Sequence, residues 1–222
     1  LLGTDVIKSY FSRLILKLMS RICNWRHIIV KSSEMKNLLK IKKIQVVPNG
    51  VSFDTFYPID QKKARSVLNW NLEEKIVLFN GNKSNPIKNY VLAEKALSLC
   101  KINIKIVEMK NLDQEKLNLY YNACDVFLST SLWEGSPNTI KEAMACNANI
   151  ISTNVGDVNY LFGKEKYNRI CTFNPLEIST AITDTLGVKK ENNKGRERLI
   201  HLSLQGTDVA QKIIKLYHTI LA

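Results

Sequence analysis

The stretch DVFLSTSLWEGSPNTIKEAMACNANIISTNVGD, residues 125–157, decides the fold of this chain. Two short apolar runs, at 125–130 and 149–153, have the length and composition of buried strands. Between them the pattern predicts a helix over 138–146. A strand, a helix and a second strand in this order form the unit from which parallel sheets are built.

The turn between the first strand and the helix has the composition of a binding site. It reads Gly135-Ser136-Pro137-Asn138, with Glu134 before it and Glu142 early in the helix. A helix N-terminus that follows the carboxyl end of a strand is a ready site for an anion such as a diphosphate. Carboxylates beside it can hold sugar hydroxyls. The combination favours a nucleotide-sugar site.

Strands and helices alternate over the rest of the chain as well. Further strands are predicted at 27–31, 44–47, 75–80 and 103–108, and further helices at 6–24, 33–39, 61–68, 88–99, 115–122, 178–186, 196–202 and 207–221. Short apolar strands separated by amphipathic helices predict an α/β fold, a Rossmann-like doubly wound parallel sheet with helices on both faces.

In such sheets ligands bind outside the carboxyl ends of the strands. This rule selects three loops: Gly81–Lys88, Met109–Asn111 and the turn at Glu134. Three loops that converge on one crevice are what a nucleotide-diphosphate pocket needs. The chain contains neither GxGxxG nor GxxxxGK[ST], so a dinucleotide or P-loop site has no support from a motif.

Composition excludes several classes of protein. The 222 residues allow one large or two small domains, and 45% hydrophobic content supports a packed core. No apolar run reaches the roughly 18 residues of a membrane span. The five cysteines are scattered without a CxxC, which argues against disulfides or zinc and indicates a reducing cytoplasm.

The first 50 residues hold most of the positive charge. The chain carries a net charge of +12, and this segment has ten Lys and Arg against Asp5 and Glu34. Arg13, Lys17 and Arg21 recur along one predicted helix that also carries apolar residues. The helix is interpreted either as a peripheral contact with an anionic membrane or as an ordinary amphipathic helix packed on its own domain. No nucleic-acid-binding signature accompanies the charge, so no nucleic acid partner is expected.

Three blocks of sequence resemble one family. Glu134 and Glu142 resemble the E-x7-E element of retaining glycosyltransferases of the GT-B fold, family 4, within the longer block at 121–158. VVPNGVSFDTFYP, at 46–58, resembles the segment between the two domains of that family. VLFNGNKSNPIKNY, at 77–90, resembles its loop that holds the donor diphosphate. The ordered set of blocks spans residues 27–162.

The resemblance implies a domain organisation. Residues 1–47 resemble a remnant of the N-terminal, acceptor-side domain, 48–58 the linker, 59–205 the donor-binding domain and 206–222 the helix that returns toward the N-terminal domain. Family members have two Rossmann-like domains and are longer. The chain is therefore expected to be a truncated glycosyltransferase or one half of a split one.

The resemblance also assigns roles to residues. Lys88 and Glu134 are the candidate catalytic residues: Lys88 would pair with the donor diphosphate, and Glu134 would hold hydroxyls of the transferred sugar. Glu142 would bind the ribose hydroxyls. Asn82 stands where the family often has Arg, and Lys83 is expected to substitute for it. The donor-binding set comprises Gly81, Asn82, Lys83, Lys88, Glu134, Gly135, Ser136, Asn138, Thr139 and Glu142.

The implied reaction transfers a hexose from a nucleoside-diphosphate sugar with retention and without a metal or other cofactor. A glycan or a lipid-linked acceptor would receive the sugar, in bacterial cell-surface polysaccharide or glycolipid synthesis at the cytoplasmic face of the membrane. Two other classes stay open: a nucleotide-sugar-binding module without activity, and a docking protein with a degenerate Rossmann domain.

The residues of the turn also have a purely structural interpretation. Ser136 could cap the helix with Pro137 at its first position, and Glu142, three residues after Thr139, could complete a capping box. In that case neither side chain would be reserved for a ligand.

Overall fold

The computed structural model describes residues 10–25 and 27–221. The part of the first predicted helix before Tyr10 lies outside these residues. The strands are β1 Ile28–Val30, β2 Ile44–Val46, β3 Lys75–Phe79, β4 Ile104–Glu108, β5 Val126–Ser129, β6 Ile150–Thr153 and β7 Asn168–Cys171. The helices are α1 Tyr10–Ile22, α2 Ser33–Leu39, α3 Gln61–Val67, α4 Tyr90–Ser98, α5 Gln114–Ala123, α6 Asn138–Ala145, α7 Val158–Phe162, α8 Pro175–Thr185, α9 Gly195–His201 and α10 Gly206–Leu221. Short 3₁₀ turns occupy Pro86–Lys88 and Lys190–Asn192.

Five strands form one parallel sheet in the order β4-β3-β5-β6-β7. Successive side chains of a strand point to opposite faces, so a sheet covered on both sides needs apolar residues throughout its strands. In β3, Ile76 and Leu78 enter one core whereas Val77 and Phe79 enter another. The strand is buried on both faces because its sequence has no polar face to turn to solvent.

Helices cover both faces of this sheet. One core contains buried residues of α5, α6, α7, α9 and α10, such as Tyr121, Met144 and Leu199. The other contains residues of α4 and α8, such as Leu92 and Ile182. This arrangement confirms the predicted doubly wound α/β fold.

The N-terminal segment has a small core of its own. Strands β1 and β2 pair in parallel and pack on α2 through Ile28, Val30, Met35, Leu39 and Ile44. Helix α2 begins where the Ser32 hydroxyl accepts a hydrogen bond from the backbone N–H of Met35, at 3.3 Å.

Helix α1 leaves its apolar side chains exposed. None of its residues is buried, and Tyr10, Phe11, Leu14, Leu18 and Ile22 are each at least half exposed. Leu16 makes contact with the small N-terminal core. Over residues 10–25 and 27–221, no helix combines the length and apolar character that crossing a membrane requires.

The predicted linker is an ordered part of the structure. Val51, Phe53 and Phe56 are buried in the first core. The guanidinium of Arg196 lies 3.9 Å from the Phe53 ring centroid and donates a 2.7 Å hydrogen bond to the Phe56 carbonyl. The domain boundaries at 47, 58 and 205 stay predictions.

The structure differs from the sequence predictions at one predicted helix and at two elements that were not predicted. The single helix predicted over 88–99 is wrong, because Asn89 adopts a left-handed conformation at φ 52° and separates the 3₁₀ turn from α4. Helix α7 and strand β7 were not predicted. The first is five residues long, and the second is an edge strand whose residues Asn168 and Arg169 interrupt any apolar pattern.

Candidate functional site

The predicted loops meet at the point where the sheet reverses its strand order. From β3 the chain passes to β4 on one side and then to β5 on the other, so the loops after β3 and β5 enclose a crevice at their carboxyl ends. The backbone N–H of Lys83, after β3, donates to Glu108 at the end of β4 at 2.8 Å. Lys88 reaches Glu134, after β5. The loop after β3 therefore touches both the end of β4 and the turn at Glu134.

An ion pair joins the two candidate catalytic residues. Lys88 Nζ lies 2.8 Å from Glu134 Oε1, and both side chains are about four-fifths buried, at 20% and 19% exposure. The hydroxyl of Ser131 donates to the same carboxylate oxygen at 3.0 Å. Glu134 thus keeps Oε2 for another donor, and the Lys88 ammonium has two further N–H groups. Partial burial strengthens these interactions relative to a surface pair.

The position of Lys88 follows from its backbone. Asn85 caps the 3₁₀ turn by accepting from the Ile87 N–H at 3.1 Å, and Asn89 ends it. The Thr130 hydroxyl donates to the carbonyls of Lys88 and Asn89 at 2.9 and 3.0 Å. These bonds fasten the turn to the end of β5, so the lysine side chain is directed along the crevice.

Gly81 allows the lysine stem to approach the β3 loop. Gly81 has φ +116°, and an added Cβ would lie 3.1 Å from Lys88 Cγ. The other two predicted residues of this loop lie farther out. Asn82 accepts a hydrogen bond from the Ser84 N–H at 2.9 Å. Lys83 is 62% exposed and lies 3.7 Å from Glu108, not beside Lys88.

The N-terminus of α6 faces the crevice without a side-chain cap. Pro137 occupies the N-cap position and forms no capping hydrogen bond. Ser136 instead donates to Asp157 Oδ2 at 2.6 Å. The capping interpretation of Ser136 and Glu142 is therefore wrong. The first backbone N–H groups of a helix have no partner within the helix, so those of Asn138 and Thr139 are suited to an anion.

A buried tyrosine fixes the position of the Glu142 side chain. The Tyr121 hydroxyl donates to Glu142 Oε2 at 2.9 Å, and Tyr121 is fully buried. Burial raises the pKa of Glu142, whereas the Tyr121 hydrogen bond and Lys141 lower it. One carboxylate oxygen is thus fixed by the protein and the other is left for a ligand.

Sequence reasoning missed the loop after β6, although the rule of carboxyl ends applies to it. Gly156 has φ +59°, and an added Cβ would lie 2.7 Å from the Gly135 carbonyl oxygen. Asp157 is 8% exposed and binds Ser136. The loop therefore supports the turn that carries Glu134. Its signal in the sequence was the pair Gly156-Asp157 directly after a predicted strand.

A second missed residue, Lys141, is fully buried in α6. Its ammonium donates to the Asn49 carbonyl at 3.0 Å and to Asn138 Oδ1 at 3.4 Å. Among the described residues, no carboxylate lies within 4 Å of it to form an ion pair. Burial lowers its pKa to about 8, Asp157 and Glu142 act in the opposite direction, and Lys31 adds to the lowering. Lys141 therefore links helix α6 to the turn at Asn49, where the predicted linker begins.

This burial predicts a pH-dependent stability. The folded pKa of Lys141, about 8, is below the ordinary 10.5 of the unfolded chain, so the unfolded state binds more protons between these values and stability rises with pH. Between pH 7.5 and 9.5 this difference in pKa raises the free energy of unfolding by about 2 kcal/mol. Urea unfolding of the wild type and of Lys141→Met at both pH values measures it. An equal pH dependence in both proteins would contradict the buried lysine.

Cavities lie at both ends of the sheet strands. One cavity, of about 740 Å³, is at the amino ends of the strands, near Lys75 and Asp125, on the side opposite the crevice. A cavity of about 450 Å³ is lined by Glu134, Trp133 and Gly156 at the carboxyl ends. The second cavity is the candidate site, because it is lined by the loops that carry the predicted site residues.

Within the part of the chain that the structure describes, no group of three or more His, Cys, Asp or Glu is placed to hold a metal ion.

Comparison with known structures shows the same fold in several proteins. The chain is similar to sucrose-phosphate synthase from Thermosynechococcus elongatus, with 20% identity and a TM-score of 0.83 over 96% of this chain and 62% of that one. It is similar to HepE of Anabaena in complex with UDP-glucose, with 16% identity and a TM-score of 0.78 over 98% and 71%. A glycosyltransferase from Rickettsia africae matches with 17% identity and a TM-score of 0.76 over 96% and 68%. The chain thus spans about two thirds of the length of these proteins.

Sequence comparison provides the family. No curated protein sequence matches the chain significantly. A family model described as glycosyl transferases group 1 matches residues 65–187, which include β3 to β7 and every loop of the crevice. Because this match extends over more than half of the 222 residues, the chain belongs to the group 1 glycosyl transferases, and its sheet is the Rossmann-like C-terminal domain of the GT-B fold.

Proposed function

We propose that this chain is the donor-binding part of a hexosyltransferase of the family 4 type, which transfers a sugar from a nucleoside-diphosphate sugar to an acceptor with retention. The observation that carries the proposal is the Lys88–Glu134 ion pair of 2.8 Å at the switch point of the sheet. A cation that suits a diphosphate therefore lies beside a carboxylate that suits a sugar, which supports the proposal. The similarity to HepE, solved in complex with UDP-glucose, supports the same ligand class.

In this proposal each group acts on one part of the donor. The diphosphate lies between the Lys88 ammonium and the uncapped first turn of α6, and Glu142 accepts hydrogen bonds from the ribose. Glu134 orients the transferred sugar. The acceptor oxygen bonds to the anomeric carbon, the bond from that carbon to the diphosphate breaks with its electron pair on the diphosphate, and the hydroxyl proton passes to the leaving oxygen. Lys88 and the helix stabilise the charge that develops there.

The proposed setting is cell-surface polysaccharide or glycolipid synthesis, with a glycan or lipid-linked acceptor. The exposed apolar side chains of α1, between Arg13, Lys17 and Arg21, support peripheral contact with an anionic membrane. Cosedimentation with vesicles that do and do not contain phosphatidylserine tests this contact; binding that ignores the anionic lipid would contradict it.

The experiment that tests the donor site is thermal unfolding with UDP, GDP, ADP and their glucose and mannose conjugates. A ligand at a hundred times its dissociation constant stabilises the folded state by about 2.7 kcal/mol, which corresponds to a rise in Tm of about 5–10 °C. We expect such a rise with the nucleotides of one base.

Two variants make the result specific. Glu142→Gln retains an acceptor for the Tyr121 hydroxyl but loses the charge toward the ribose, so the shift should shrink. Glu115→Gln makes the same change on the exposed first turn of α5 and should leave the shift intact. A folded protein whose Tm none of the nucleotides changes would overturn the donor site. Binding without sugar transfer from any donor would instead favour a non-catalytic nucleotide-sugar-binding module.

A further inference from the structure

Lys141 holds a buried positive charge beside the first turn of α6. Side chains of a helix lean toward its N-terminus, so the ammonium of Lys141 lies next to Asn138, where the helix begins. It donates to Asn138 Oδ1 at 3.4 Å and to the Asn49 carbonyl at 3.0 Å. The side chain is fully buried, and no carboxylate within residues 10–25 and 27–221 forms an ion pair with it. A buried charge without an opposite charge is costly, and an anion bound nearby lowers that cost.

The same contacts fix the direction of the Asn138 amide. Its Oδ1 faces two donors, the Lys141 ammonium and Asn49 Nδ2, the latter at 3.3 Å. An ammonium has no acceptor, so the oxygen of the amide has to face it and the nitrogen has to face away. Asn138 is exposed, and its Nδ2 forms no hydrogen bond within the described part of the chain. The first turn of α6 therefore offers a side-chain donor in addition to its backbone N–H groups.

The charges that face Lys141 come from three segments. Asp157, in the loop after β6, and Glu142, the next residue of α6, favour its protonated form, whereas Lys31, after β1, opposes it. Burial is the largest effect and lowers the pKa of Lys141 to about 8, and burial also lowers the pKa of Lys31. A diphosphate at the first turn of α6 would add negative charge to this balance. It would therefore raise the pKa of Lys141 again.

We propose that Lys141 is a positioning residue for the donor diphosphate: it directs the N–H groups of the Asn138 amide toward the phosphates and places a positive charge behind the first turn of α6. The inference rests on the proposed function, because it takes the diphosphate to lie at that turn. Lys88 touches the diphosphate in that function, whereas Lys141 acts through Asn138 and through its charge.

Proton uptake on binding distinguishes this role from a structural one. The probe is whichever of UDP, GDP and ADP raises the Tm most, titrated calorimetrically at pH 7.5 and 8.5 in two buffers of different ionisation enthalpy. Its terminal phosphate, with a pKa of about 6, is ionised throughout this range. If binding raises the pKa of Lys141 from about 8 by about one unit, the wild type takes up about half a proton at pH 8.5. Its affinity is then about two- to threefold lower at pH 8.5 than at pH 7.5.

Two variants assign the proton to Lys141. Lys141→Met should bind the nucleotide about three- to tenfold more weakly at pH 7.5, without proton uptake and with equal affinity at both pH values. Asn138→Asp places a carboxylate beside the ammonium, which keeps Lys141 protonated, so the uptake should disappear here as well. The same variant loses the Nδ2 donor and should bind about tenfold more weakly.

Lys190→Met is the matched control. The Lys190 ammonium also donates to backbone carbonyls, those of Tyr121 and Asn122, and burial lowers its pKa, but it lies at the amino ends of the strands. This variant should retain the proton uptake of the wild type and its pH dependence of affinity.

The outcomes separate this inference from the proposed function. Nucleotide binding without proton uptake in the wild type would overturn the inference, and so would uptake that persists in Lys141→Met or in Asn138→Asp. Asn138 is exposed, so its variant keeps the test decisive should Lys141→Met not fold. A folded wild type that binds none of the three nucleotides would overturn the donor site itself, and this inference with it.

Discussion

Gly156→Ala is expected to lower the free energy of unfolding by about 3 kcal/mol or more and to weaken binding of the nucleotide sugar. Gly156 has φ +59°, and a Cβ there would lie 2.7 Å from the Gly135 carbonyl oxygen and 2.9 Å from that of Glu134. Both contacts are with backbone, so a change of rotamer cannot relieve them. The turn that carries Glu134 has to move.

Urea unfolding and calorimetric titration of the nucleotide and the nucleotide sugar measure these effects. The clash is with the turn of Glu134, which the proposed function assigns to the transferred sugar, so the nucleotide sugar should lose more affinity than the nucleotide alone. Gly187→Ala is the matched control: nothing lies within 4 Å of its added Cβ, and its stability should stay equal or rise by up to about 1 kcal/mol. Wild-type stability and affinity in Gly156→Ala would show that the loop after β6 does not support the Glu134 turn.

Lys88→Met is expected to reduce affinity for the nucleoside diphosphate by about 10- to 100-fold, since a hydrogen bond to a charged group contributes about 1.5–3 kcal/mol. Methionine retains the apolar stem that lies against Gly81. The ammonium is lost, and among the described residues Glu134 keeps the Ser131 hydroxyl as its side-chain partner. The loss of stability should be modest, about 1 kcal/mol, because Glu134 keeps the Ser131 hydrogen bond and about a fifth of its side chain stays exposed to water.

Isothermal titration is done with the nucleoside diphosphate and with the nucleoside alone. The comparison separates the contribution of the phosphate charges from that of the nucleoside. The nucleoside should bind both proteins equally, and added salt should weaken the diphosphate more in the wild type. Lys105→Met removes another paired lysine, 3.0 Å from Glu74 and away from the crevice, and should change nothing. Equal diphosphate affinity in Lys88→Met would place the phosphates elsewhere.

The sequence predicted the parts of the site that depend on strand order along the chain. Apolar runs such as 75–80 and 125–130 read as buried strands, and the rule of carboxyl ends then selected the loops of Lys88 and Glu134. The local sequence was sufficient to predict these two loops, because each follows a strand whose residues are apolar on both faces. Strand β7 escaped the same reasoning, since an edge strand with Asn168 and Arg169 has no such pattern.

The backbone conformation of single residues limited the predictions near the site. Nothing in the helical pattern of 88–99 showed that Asn89 would take a positive φ and set Lys88 on a separate turn. The capping interpretation of Ser136 was equally reasonable on local grounds. It is wrong because Asp157, 21 residues away, takes the hydroxyl instead.

Taken by itself, the sequence determined the α/β class, the parallel sheet and the crevice at the strand ends, because these follow from periodicity and from spacing along the chain. Only the tertiary structure decided which charges are buried and with what partners. A lysine or an aspartate reads as solvated in any sequence. Lys141 and Asp157 become buried because helix α6, the loop after β6 and the turn at Asn49 close around them, and contacts between distant segments leave no trace in local pattern.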